Sequence, residues 1–171
     1  MQFIKLIIII FFGKFLFAQP DWQDNPGGYE FTATISGGIV LNDGQQMGDT
    51  GDIFAAFDDQ DNVRGVAIML FPPFGPYKET PIFEMQMRSN ALNDILSFKY
   101  YDASENVVLN LSETYTFVSN DILGNMINPV FIGGMWVLYS SDVDIRGFQF
   151  DLEGMSVISA SGGDAGTANF T

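Results

Sequence analysis

From Tyr29 to Ser36 the chain alternates residue by residue. Tyr29, Phe31, Ala33 and Ile35 share one face, and Glu30, Thr32, Thr34 and Ser36 share the other. A period of two does not fit a helix of 3.6 residues per turn; it describes a half-buried antiparallel strand. Shorter runs follow at Asp52–Phe57, Val63–Phe71, Ile82–Arg88, Leu96–Tyr101, Val107–Leu111 and Thr114–Val118. Turn formers separate them: Gly37-Gly38, Asn42-Asp43-Gly44, the Asp58–Asn62 stretch, Asn93-Asp94 and Asp102–Asn106. This spacing predicts an all-β fold over residues 19–132, an antiparallel β-sandwich of Ig-like or jelly-roll type. Val66–Phe71 is apolar on both faces, which predicts a central strand. The prolines at 72, 73, 76 and 81 keep the following loop out of any central strand. Gly133-Gly134 breaks the pattern. Beyond it, Trp136–Tyr139, Gly147–Leu152 and Met155–Ala160 read as strands; so short a stretch cannot close a sandwich of its own, so they either add to the first sheet or, the favoured reading, begin a second, incomplete β domain over residues 133–171.

Composition narrows the function. Seven basic residues against 21 acidic ones give a net charge of −14, and a polyanionic surface repels phosphate backbones. The chain has neither cysteine nor histidine. Disulfides, thiol nucleophiles, the usual structural zinc sites and histidine-based triads are therefore excluded.

Residues 1–18 combine a basic start ending at Lys5, an apolar run from Leu6 to Phe12 and a small residue, Ala18, before Gln19. This is the layout of a secretory signal peptide. Gly13 and Lys14 interrupt the apolar stretch, which is short of the roughly 20 residues that span a bilayer. The expectation is a secreted, extracellular protein, with attachment to a cell surface left open.

Several short motifs recur in a familiar order: Asp52–Phe57, Arg64-Gly65-Val66-Ala67, the Pro72–Tyr77 loop, Phe83–Asn90, Leu96–Ser104, Ser112–Phe117 and Asn128-Pro129. Together they resemble a repeat module of secreted surface proteins of marine bacteria, which implies a non-catalytic extracellular part with no assigned chemistry. Leu138–Ser141 and Ile145–Leu152 look like the opening strands of a cohesin-like domain, and that resemblance implies a jelly-roll relative of carbohydrate-binding modules and scaffolds that bind dockerins.

Among candidate sites, exposed aromatics could stack on sugar rings or fill a protein pocket. Phe74 and Tyr77 in the proline-rich loop, and Tyr101 on its strand, are the candidates, with one of the neighbours Tyr100 and Tyr101 facing inward and the other outward. An extracellular glycan or surface protein is the expected partner. Calcium is the one cofactor that such a chain could hold, since it needs only oxygen ligands. Asp58, Asp59 and Asp61 form its densest carboxylate cluster, with Asp43, Asp49 and Asp52 weaker; neither matches an EF-hand loop, and a solvated acidic turn is the plainer reading of both. A glycoside hydrolase using paired carboxylates is the alternative, with Asp58, Asp59, Asp61, Glu79, Glu84, Glu105 and Glu113 as candidates by type alone.

Overall fold

The computed structural model describes residues 19–134, and both the proposed signal segment and the strands expected beyond Met135 lie outside the described residues. The described part is all β. Ten strands follow the chain: β1 (Phe31–Asn42), β2 (Gln45–Gln46), β3 (Ile53–Phe57), β4 (Val63–Val66), β5 (Ile68–Leu70), β6 (Ile82–Ser89), β7 (Ile95–Asp102), β8 (Val107–Thr116), β9 (Ile122–Leu123) and β10 (Val130–Gly134). They form two layers. One sheet runs β10-β1-β6-β5, with β2 and β9 also on β1, and the other runs β4-β3-β7-β8.

The alternation at Tyr29–Ser36 becomes the first half of β1, whose Ala33 and Ile35 point into the core. Phe83, Met85 and Met87 of β6 face them on the same sheet. Phe54 and Ala56 of β3, with Leu96, Phe98 and Tyr100 of β7, come from the other. Phe54 sits at the centre, with ring centroids 5.6 Å from Phe83 and 5.5 Å from Phe98, and Tyr100 meets Phe83 edge-on at 5.9 Å. Each such buried ring stabilises by about 1.5–3 kcal/mol through area alone, and edge-to-face pairs add about 0.5–1.5 kcal/mol.

Five expectations change. Val66–Phe71 is not a central strand: the run Val63–Phe71 splits at Ala67, whose N–H donates to the Phe54 carbonyl at 2.8 Å, into two edge strands. The run leaves one sheet as β4 and joins the other as β5, so its two apolar faces serve two layers. Val107–Leu111 and Thr114–Val118 form one strand to Thr116, with a register shift opposite Ser97 and Lys99. Gly37-Gly38 is no turn. It lies inside β1, where the register on β6 shifts between Ile35 and Gly38, and a Cβ on Gly37 would collide with the backbone of Asn125. Finally, the first sheet is mixed, because β9 and β10 both run parallel to β1. β10 includes Gly133 and Gly134, opposite Leu41 and Asn42, so the doublet belongs to a strand of the first sheet.

Candidate functional site

Local chemistry decides what each candidate residue can do. Asp58 follows β3, and its carboxylate organises the turn to β4. Oδ1 accepts the backbone N–H groups of Gln60 and Asn62 at 2.9 and 2.8 Å, while Oδ2 accepts the Asn62 amide at 2.8 Å and Arg64 Nε at 3.0 Å. Burial alone would raise its pKa. The donors from Asn62, Arg64 and Gln60 outweigh that and hold the carboxyl below the ordinary aspartate value. Asp61 adopts a left-handed φ of 67° and turns to Lys99, whose Nζ lies 2.5 Å from Oδ1. Asp59 is exposed on the turn. The expectation of a calcium site at Asp58, Asp59 and Asp61 is therefore corrected. Asp58 is saturated by N–H donors, Asp61 is spent on an ammonium, and among the described residues no three carboxylates gather closely enough to hold a metal.

The weaker cluster resolves in the same way. Asp52 accepts the Tyr100 hydroxyl at 2.5 Å, the Asp49 N–H at 2.7 Å and the Ala103 N–H at 2.8 Å. Burial, then the Asp52 carboxylate, pushes the Tyr100 hydroxyl pKa upward, so this tyrosine stays protonated as a core donor. Tyr101 departs from expectation as well. It faces away from the core cluster but is only 6% exposed, and its hydroxyl donates to Asn106 Oδ1 at 2.8 Å. A ring so covered offers no stacking face, so Tyr101 leaves the candidate binding set.

The proline-rich loop keeps its place. Phe74 is 74% exposed and Phe71, just past β5, is 55% exposed. Tyr77 is half-buried and gives the loop a foot on the protein. The loop is braced internally: the Glu79 N–H donates to the Pro72 carbonyl at 2.9 Å, and the Thr80 N–H to that of Tyr77 at 3.1 Å. Pro72 is buried at its base, and Gly75 takes the left-handed φ of 92° that the tip requires. Phe71 and Phe74, the two exposed rings of this stretch, are its apolar crest, and Ile68 of the adjoining edge strand is exposed as well.

Sequence reasoning missed a second arrangement, at the seam where β4 of one sheet approaches β6 of the other. Arg64 bridges Asp58 at 3.0 Å and Asp94 at 3.4 Å, with its guanidinium 4.5 Å from the Tyr29 ring centroid. Beside it, Arg88 donates from Nε to Asp24 Oδ1 at 3.0 Å and from a terminal nitrogen to Asp24 Oδ2 at 2.7 Å. Trp22 meets Phe57 edge-on, with centroids 5.1 Å apart. Only the pairing of scarce arginines with an acidic, aromatic leader at Asp21–Asp24 hinted at this. Comparison of the chain with protein-family models, with curated proteins and with solved structures found no match.

Proposed function

We propose that this chain is a non-catalytic extracellular module that attaches to a glycan or to a surface protein through the Phe71–Phe74 crest. The observation that carries the reading is the ring of Phe74, held out by a braced loop with three-quarters of its surface in water. Leaving large apolar side chains in water on an ordered loop has a free-energy cost that a partner removes, and apolar patches of this kind mark interaction sites. The resemblance to modules of secreted surface proteins, and a leader with the layout of an export signal, agree with such a role. The carboxylates considered for glycosidase chemistry give the alternative little support. Asp58 and Asp61 are bound to cations, and Glu113 accepts a backbone N–H from Gly133 at 2.7 Å.

The test is a glycan array together with pull-down on insoluble polysaccharides and on bacterial surface protein, comparing the native chain with Phe74→Ser. The expected result is a retained ligand that the variant loses while its melting temperature stays in place. Equal retention by both proteins would falsify the role given to the crest.

A further inference from the structure

Residues 19–24 reach the sandwich without joining either sheet. Among the described residues no backbone hydrogen bond ties this segment down. Two side chains hold it: Trp22 on the edge of Phe57, and Asp24 in a two-point pair with Arg88. The turn that follows, Asn25-Pro26-Gly27-Gly28, is closed by one hydrogen bond of 3.1 Å from the Gly28 N–H to the Asn25 carbonyl. Nothing lies within 4 Å of where a Gly27 Cβ would stand. From Gly28 onward the chain is clamped, because Asn90 donates to the Gly28 carbonyl at 3.2 Å and accepts the Glu30 N–H at 2.7 Å. The segment is thus a strap with two anchors, an unpacked hinge and a fixed root.

The seat is chemically distinct from the rest of the molecule. In a chain of net charge −14, acidic segments are repelled almost everywhere. Here a guanidinium with 7% of its side chain exposed finds its only carboxylate, among the described residues, in Asp24; its other side-chain partner is the neutral Gln86 amide. If the strap left, Arg88 would lose its one carboxylate partner among the described residues, an unfavourable state for a guanidinium seated between β4 and β6 until another carboxylate arrived. The aromatic edge beside it selects a ring two residues ahead of that carboxylate.

We infer that the Phe57–Arg88 seat is a receptor for a Trp-x-Asp segment, and that a second copy of this chain fills it with its own Trp22–Asp24, the two copies exchanging identical straps. Such exchange reuses contacts already present in one chain, so the reorganised hinge is its main cost. Within one chain the strap competes at the millimolar effective concentration typical of a short tether, so the monomer is the resting form and exchange grows with protein concentration.

The probe is a dye-labelled peptide of residues 19–25, followed by fluorescence anisotropy. Full-length acceptors are the native chain and Trp22→Ala/Asp24→Asn, which keeps the seat but loosens its own strap. The peptide should bind the doubly substituted chain saturably and the native chain about tenfold more weakly, because the tethered strap occupies that seat. A peptide carrying Asp24→Asn, or one carrying Trp22→Ala, should lose binding to the same acceptor. If the doubly substituted chain lacks a strand-type circular dichroism spectrum, Asp24→Asn alone takes its place. Sedimentation equilibrium completes the test: the native chain should form a dimer that grows with concentration, and Trp22→Ala/Asp24→Asn, whose strap has lost both anchors and seats in neither copy, should not. No peptide binding to a folded, loosened acceptor, or binding indifferent to both peptide substitutions, overturns the receptor. A native chain that stays monomeric throughout overturns the exchange.

Discussion

The sandwich has two long sides, and the chain closes them by different means. On one, a single continuous run passes from β4 to β5 and so joins the sheets covalently, and the seam is filled by Arg64, Arg88 and the strap. Gly65 lies so close under this crossing that a Cβ would stand 2.6 Å from the Gln86 carbonyl oxygen. On the other side, the chain crosses from β8 to β9 through the longer segment 117–121, and β8 faces β10, which comes from a separate part of the chain. β8 and β10 are joined through the Glu113 carboxylate, which accepts the Gly133 N–H at 2.7 Å, while Tyr115 donates to Asp121 Oδ2 at 2.8 Å near the crossing from β8 to β9. The contrast teaches where charge has been spent. Three of the four basic side chains of the described residues lie on or beside the β4–β5 side, where two arginines are desolvated. The β8–β10 side relies on single hydrogen bonds and leaves Val107 and Val108 of its edge strand exposed.

Breaking the β4–β5 side should cost most. Arg64→Ala leaves the Asp58 carboxylate, 5% exposed, without its cation, and the expected loss is about 3 kcal/mol by urea denaturation. A loss near zero would mean that the turn donors alone satisfy Asp58, and the seam would then be no stronger than its counterpart.

The two sides should also separate by pH. Asp58 titrates below its ordinary value in the folded state, so its contribution is present above the ordinary aspartate range and is lost as pH falls through the folded value. Asp58→Asn should therefore flatten the acid limb of the stability profile. Tyr115 runs the other way. Burial, then the hydrogen bond to Asp121, pushes its pKa up to about 12, so its contribution is present below the ordinary tyrosine value and fades as pH rises toward the folded one. Tyr115→Phe should flatten part of the alkaline limb, and Tyr100, also shifted upward, keeps the rest. Thermal melts across pH would show whether the acid limb belongs to the seam and the alkaline limb to the β8 side.

On the β8–β10 side, Glu113→Ala removes one charge-assisted hydrogen bond at a half-buried position, and about 1 kcal/mol should be lost. A loss as large as that of Arg64→Ala would erase the distinction between the sides. The smallest effect belongs to neither. Phe74→Ser removes a ring already in water, and stability should stay within about 0.5 kcal/mol of the native chain in the same assay. A larger loss would make Phe74 a structural residue and undermine its role at the crest.

Much of this architecture was legible locally. The runs located β3, β6 and β7 to within about a residue and the first half of β1, where burial of one face leaves a period of two that the sequence records directly. The Asn42-Asp43-Gly44 turn was equally plain, with Asp43 and Gly44 both at positive φ. Phe74 stood out as a loop aromatic because four prolines surround it. The burial of Tyr101 was not legible, since alternation says which way a ring points but not what covers it. Nor was the fate of Asp58, Asp59 and Asp61. Three acids in a turn read alike on paper, yet Asp58 was claimed by an arginine six residues on and Asp61 by a lysine from another strand.

The amino-acid order by itself determined the strand periods, the turns, the acidic character and the absence of thiol and imidazole chemistry, because these depend on near neighbours or on composition alone. Tertiary structure decided that Val63–Phe71 changes sheets, that Gly37 lies beneath Asn125, that two edge strands run parallel to β1, and that Trp22 and Asp24 reach Phe57 and Arg88. Each of those outcomes pairs residues distant in sequence. Such partners are chosen by which buried backbone and charged groups would otherwise go unsatisfied, a condition that exists only once the two layers have come together.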